Sequence, residues 1–175
     1  LKVTDPHTNN ESFAAHLPSP SIIWQRSLGG TGAEEALSIQ PTNDGGFIVG
    51  GTSNSNNGNV SGNHGGTDYW VAKLNPYGTI EWQRSLGGSG NETFQSVRKT
   101  NDGGYIVVGY TNSNDGDVSG NHGNNDAWIV KLSSTGTTQW QRCHGNISND
   151  FLSYIEQTSD GGYISVGQGA SYDGN

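Results

Sequence analysis

The sequence predicts an all-β fold assembled from one repeated antiparallel unit. Trp-Gln-Arg starts at Trp24, Trp82 and Trp140, and Asp-Gly-Gly at Asp44, Asp102 and Asp160, each time 58 residues apart. Residues 24–81 and 82–139 align without a gap and are identical at 34 of 58 positions. A fixed period of this size marks a solenoid, a propeller or an array, in which each unit buries its apolar face only against a neighbour. No window carries apolar residues at i, i+3 and i+4 behind a capping residue, so no segment reads as a helix.

Four strands are expected per unit. The first is Glu35–Thr42 (Thr93–Thr100, Phe151–Thr158), apolar residues mixed with polar ones. The second is Phe47–Gly51 (Tyr105–Tyr110, Tyr163–Gln168), rich in β-branched and aromatic residues. Asn43-Asp44-Gly45-Gly46 joins them, and Asp-Gly between two such runs is a hairpin signal. The third is Tyr69–Leu74 (Ala127–Leu132), where Trp70, Ala72 and Leu74 alternate with Val71 and Lys73 as the two faces of a strand. Pro76-Tyr77-Gly78, or Ser134-Thr135-Gly136, turns the chain into the fourth, Thr79–Leu86 (Thr137–Cys143).

Four antiparallel strands per repeat match one blade of a β-propeller. The expected layout is an extended leader or linker over residues 1–20, with Pro6, Pro18 and Pro20, and a propeller segment over 21–175. That segment begins with a lone outer strand at Ile22–Leu28 and continues through blades at 33–86 and 91–143 into a partial blade at 149–175. Propellers are usually built from about four to eight blades, so the ring is expected to be completed by further blades of a longer chain or by other copies.

The repeat resembles the bacterial SBBP β-propeller repeat family. The resemblance rests on Leu28-Gly29-Gly30-Thr31-Gly32, on Asp44-Gly45-Gly46-Phe47-Ile48-Val49-Gly50-Gly51, and on Asp68 to Gly78. The second copy repeats these stretches at Leu86 to Gly90, Asp102 to Gly109 and Asp126 to Leu132. The resemblance covers about residues 22–175. It implies a secreted or cell-surface bacterial protein, of the kind seen in Bacteroidetes, and carries over no catalytic residue. The stretch Asn54–His64 is longer than the family's usual connection between second and third strands.

Composition narrows the function classes. The net charge is −8 with no Lys/Arg cluster, which argues against a nucleic-acid or anionic-membrane partner. No apolar run approaches the ~20 residues of a membrane-spanning helix, so no membrane insertion is expected. The single cysteine, Cys143, leaves no intrachain disulfide framework. The chain lacks Met and a signal-peptide h-region, which reads as a processed chain, and its Gly/Asn/Ser-rich, Lys-poor make-up fits the extracellular space.

Several residue groups are candidate sites. Asn112, Asn114, Asp115 and Asp117, with Gly116 at the turn, form an oxygen-rich stretch of the type calcium prefers. The first copy reads Asn54-Ser55-Asn56-Asn57-Gly58-Asn59 and has no carboxylate, so the competing reading is an Asx-rich turn that satisfies its own backbone. Apart from calcium, no cofactor is expected. His64 and His122 precede Asp68 and Asp126 by four residues. A metal or acid–base role is open to such pairs, but one pair per unit favours a hydrogen bond fixing the loop to the third strand. Glu34, Glu92 and Asp150 recur before the first strand, where backbone N–H groups of the Gly-rich turn are the expected partners.

Trp24, Trp82 and Trp140 are the expected aromatic contacts for a glycan or a partner, weighed against burial between units. Cys143-His144 is not expected to act as a nucleophile pair, because adjacent strand residues face opposite ways. The residues favour a non-enzymatic scaffold or binding platform for a surface protein or glycan. The alternatives are an enzyme with an axial site completed by other blades, for which Glu35, Asp115, Asp117 and His144 would be the residues to examine, and a passive subunit of a secretion or adhesion assembly.

Overall fold

A computed structural model describes residues 2–4, 11–13 and 24–169 of the chain. The expected partial unit is thus described only to Gly169, and Ile22 and Ile23 lie outside the described residues. Within the leader stretch, β1 (Lys2–Thr4) and β2 (Glu11–Phe13) pair antiparallel, and the rest of it lies outside the described residues.

The repeat folds as antiparallel meanders. β3 (Glu34–Pro41), β4 (Phe47–Ser53), β5 (Asp68–Leu74) and β6 (Ile80–Leu86) form one four-stranded sheet in sequence order. β7 (Glu92–Lys99), β8 (Tyr105–Thr111), β9 (Asp126–Leu132) and β10 (Thr138–His144) form a second. β11 (Asp150–Gln157) and β12 (Tyr163–Gly169) pair as a two-stranded sheet. The Asp-Gly turns close as expected. Asp44 Oδ1 accepts from the Thr42 hydroxyl and the Gly46 amide, which lets Gly45 take φ +81°.

The lone outer strand expected at Ile22–Leu28 falls partly outside the described residues. Residues 24–28 of the run expected at Ile22–Leu28 carry no ladder pairing. A strand exists only where a neighbour answers its backbone N–H and C=O groups. What holds this segment instead is Trp24, whose indole Nε1 donates to Pro76 O at 2.9 Å and whose ring meets Phe47 edge-on.

The sheets stack face to face, β4 against β7 and β8 against β11. As a result the third strands are buried at every position, β5 and β9 alike. The alternation seen in the sequence is real, but both faces are core. Trp70, Ala72 and Leu74 pack on one side with Val60, while Tyr69 and Val71 enter the layer between the first two sheets. That layer is completed by Phe94, Val97, Trp128, Val130 and Leu132 of the second unit. Ile106, Val108 and Ile129 cover the next layer with Ile155.

Lys73 and Lys131 lie on these buried strands at 4% and 3% exposure. Each ammonium has three donors and uses them fully. Lys73 Nζ reaches Asp44 Oδ2 at 2.7 Å, Glu81 Oε2 at 2.8 Å and Leu74 O at 3.2 Å. Lys131 Nζ reaches Asp102 Oδ2 at 2.8 Å, Gln139 Oε1 at 2.9 Å and Leu132 O at 3.0 Å. The register of the fourth strand slips at position 81 or 139, a bulge that aims this side chain at the lysine.

Candidate functional site

The most elaborate surface is built where the long second-to-third-strand loops meet the Gly-rich turns that open each unit. In the first unit the loop's polar side chains cap the turn's backbone amides one by one. Asn59 Oδ1 accepts from Gly29 N, Asn57 Oδ1 from Thr31 N, Ser55 Oγ from Gly32 N and Asn54 Oδ1 from Ala33 N. The second unit repeats the set: Asp117 Oδ2 accepts from Gly87 N, Asp115 Oδ1 from Ser89 N, Ser113 Oγ from Gly90 N and Asn112 Oδ1 from Asn91 N.

This places the residues expected to take calcium. Asn112, Asp115 and Asp117 each spend an oxygen on a different amide of the turn, and Asn114 Oδ1 accepts from Gly120 N and Asn121 N. The amide of Ser89 holds the Asp115 carboxyl below its ordinary range. Among the described residues no three His, Cys, Asp or Glu side chains converge on a point that could hold a metal ion. The loss of both acids in the first copy has a simple reason: an asparagine oxygen accepts from the same N–H as an aspartate oxygen.

A further set of hydrogen bonds to the same turns comes from Glu34, Glu92 and Asp150. Their oxygens accept from Gly30 N at 3.0 Å, Gly88 N at 2.9 Å and Asn146 N at 2.9 Å. Glu92 is fully buried, and its other oxygen accepts from the Thr111 hydroxyl at 2.6 Å.

The His–Asp pairs lie at the far end of each loop. Asp68 Oδ2 meets His64 Nδ1 at 2.8 Å and accepts from the His64 backbone N at 3.0 Å. Asp126 and His122 repeat both contacts, at 2.8 and 2.9 Å. Both aspartates are fully buried, and Oδ1 of each has no hydrogen-bond partner among the described residues. Burial pushes the Asp68 carboxyl up, partly offset by the bonds from His64. Desolvation lowers the His64 imidazole, but the bond to Asp68 and the charge of Asp117, whose Oδ2 is 3.7 Å from Nε2, leave it above its ordinary value.

The Trp-Gln-Arg triplets tie units together. Trp82 Nε1 donates to Ser134 O at 3.2 Å and its ring meets Tyr105 of the next unit, as Trp24 does with Pro76 O and Phe47. Trp140 meets Tyr163 edge-on. All three rings are half-buried. The glutamine of the triplet has a role that its sequence position did not reveal. Gln83 Oε1 accepts from the Trp70 indole while its Nε2 donates to Ser61, and Gln141 bridges Trp128 and Ser119 in the same way. Its recurrence after Trp24, Trp82 and Trp140 was the one available signal.

No protein-family model matches the chain, and no curated protein matches it either. The site must therefore be read from its own chemistry. Cys143 packs against the layer between the first two sheets while His144 lines a groove on the other side of β10. Cys143 is half-buried on β10, the outermost strand of its sheet, and desolvation pushes its thiol up to about 12. At neutral pH it is a protonated thiol and a poor nucleophile. Among the described residues no hydroxyl or thiol is hydrogen-bonded to a ring nitrogen of His64 or His122. A polar groove of about 430 Å³ runs between the first unit's loop and the second unit's outer hairpin, lined by Ser61, His64, Gln83, Arg84, Asp117 and Thr138 among others.

Proposed function

We propose that the chain is a segment of a β-propeller serving as a non-enzymatic binding module, secreted or displayed at a bacterial cell surface. Its ligand is a glycan or the polar face of a protein partner. The observation that carries this reading is the way the loop face is built: its repeated polar side chains are spent on holding its own backbone. A surface fixed in advance binds at low ordering cost, which is what a recognition face requires. The groove is lined by Ser61, His64, Arg84 and Asp117, which offer donors and acceptors of the kind a polyhydroxy ligand engages. The resemblance of the repeat to SBBP sequences and the Gly/Asn/Ser-rich, Lys-poor composition support the extracellular placement.

The test is a glycan array and a surface-protein pull-down with the folded chain, each repeated with Thr138→Arg. Thr138 is exposed on the groove rim, so arginine there fills the groove without touching the core. Binding by the parent and loss with Thr138→Arg, at unchanged thermal unfolding, is the expected result. Turnover of a bound sugar, or binding indifferent to Thr138→Arg, would overturn the reading.

A further inference from the structure

We infer that the junction between the first two units is latched by one proton held between two buried acids, donated by Asp68 Oδ1 to Glu92 Oε2. The latch is a pH-sensitive device of the fold. It rests on buried geometry and not on the loop-face reading.

The two acids come from different units. Asp68 is the first residue of β5 and Glu92 the first of β7. Backbone bonds bring the two strand starts together, Gly66 N to Gly90 O at 2.9 Å and Glu92 N to Thr67 O at 2.6 Å. Both side chains are fully buried. Their oxygens converge on the bare Cα of Gly87, where an added Cβ would lie 2.7 Å from Asp68 Oδ1 and closer still to Glu92 Oε2.

Neither carboxyl is free to turn away. Asp68 Oδ2 is held by the backbone N and the Nδ1 of His64. Glu92 Oε1 accepts from the Thr111 hydroxyl and Oε2 from Gly88 N. Asp68 Oδ1 is thereby left facing the other acid, with no donor among the described residues. An ionised carboxylate offers only acceptors. Two of them meeting away from water leave an oxygen unsatisfied and set two like charges side by side, and each of these is costly. A proton on Asp68 Oδ1 removes both faults, because it turns the orphan acceptor into a donor and leaves one charge in place of two.

The surrounding groups offer no other solution. Among the described residues no lysine or arginine pairs with either acid. His64 meets Asp68 through Oδ2, and its Nε2 faces Asp117 of the second unit's loop, with Asp115 and Arg84 near the same imidazole. Tyr69 on β5 and Cys143 on β10 feel the charge of Glu92, and burial keeps both protonated. Burial raises the Asp68 carboxyl, the bonds from His64 pull it back and the charge of Glu92 raises it again, with the balance upward. The convergence recurs at Gly145 between Asp126 Oδ1 and Asp150 Oδ2, but Asp150 is only half-buried. The first junction is the one closed to water.

An acid raised in the folded chain contributes stability that is fully present below its unfolded value, near pH ~4, and lost as pH rises through the folded one. The latch therefore holds in acid and loosens toward alkali.

The experiment follows the Asp68 carboxyl carbon by carbon NMR through a pH titration of the 175-residue chain and of Glu92→Gln. Urea unfolding of the parent and of Asp68→Asn is read over the same pH range. The Asp68 carbon is expected to titrate above the ordinary aspartate range, and Glu92→Gln to bring its midpoint down. Asparagine sets an amide donor where the proton stands, so Asp68→Asn should remove part of the parent's loss of stability as pH rises through that midpoint. An Asp68 midpoint at or below the ordinary range, as a water or a cation between the acids would give, would overturn the inference. So would a midpoint unmoved by Glu92→Gln, or an Asp68→Asn profile that falls as steeply as the parent's. If either variant fails to fold, the parent's carbon titration decides by itself.

Discussion

Lys131 on β9 and Asp102 in the turn between β7 and β8 meet at 2.8 Å, and the pair repeats Lys73 and Asp44 at 2.7 Å in the preceding unit. The lysine is buried while the aspartate is half in water. The two partners are therefore unequal. Removing the acid strands a buried ammonium, whereas removing the ammonium releases an acid that solvent can accept.

Asp102→Ala should destabilise the chain by roughly 2 kcal/mol, discounted from the cost of a fully buried broken pair because Asp102 is solvent-screened. Lys131→Met, which fills the same volume without charge, should cost less. Urea unfolding of the two variants gives the order directly, and the reverse order would contradict the asymmetry.

Stability should also fall in acid. Hydrogen bonds from Lys73 and Lys131, with help from Thr42 and Thr100, hold the Asp44 and Asp102 carboxyls well below the ordinary range. A depressed folded value means the contribution is fully present above the unfolded value, near pH ~4, and is lost as pH falls through the folded one. The urea midpoint should drop below pH ~4, and Asp44→Asn with Asp102→Asn should flatten that drop.

Gly109→Ala should be severe. A Cβ at Gly109 would lie 2.0 Å from the Thr93 carbonyl and 2.7 Å from the Tyr69 hydroxyl. The crowding comes from the bulge between Phe94 and Ser96, which carries the first strand over the second. Neither contact can yield cheaply, and a loss of about 3 kcal/mol is expected in equilibrium unfolding.

Trp82→Phe tests the tie between units. It keeps most of the ring against Tyr105 but removes the indole N–H bonded to Ser134 O. A loss of about 1 kcal/mol is expected. A larger loss with Trp82→Ala, near 3 kcal/mol, would assign the remainder to packing. Thermal unfolding of both variants separates the two contributions.

Much of the architecture was legible in the residues themselves. The 58-residue period, the Asp-Gly hairpins and the four strand segments of each complete unit can be read from side-chain type, because turns and strands are dictated locally. Two features depend on neighbours and were not legible. Lys73 alternates with Trp70 as an exposed residue would, yet it is buried because a second sheet covers that face as well. Trp24 to Leu28 carry a strand's pattern but no ladder pairing among the described residues. At the loop face, the exchange of Asn57 for Asp115 reads as a difference in chemistry, but the structure gives both the same backbone task.

That shared task separates two properties that usually change together. The side-chain oxygen at position 57 or 115, and at position 59 or 117, accepts from the same backbone amide whether the side chain is neutral or anionic. The outline of the face is set by the oxygen, and its electrostatic potential by whatever else the residue carries. A lineage of such repeats can therefore redraw the field that a visitor meets, one unit at a time, on relief that does not move.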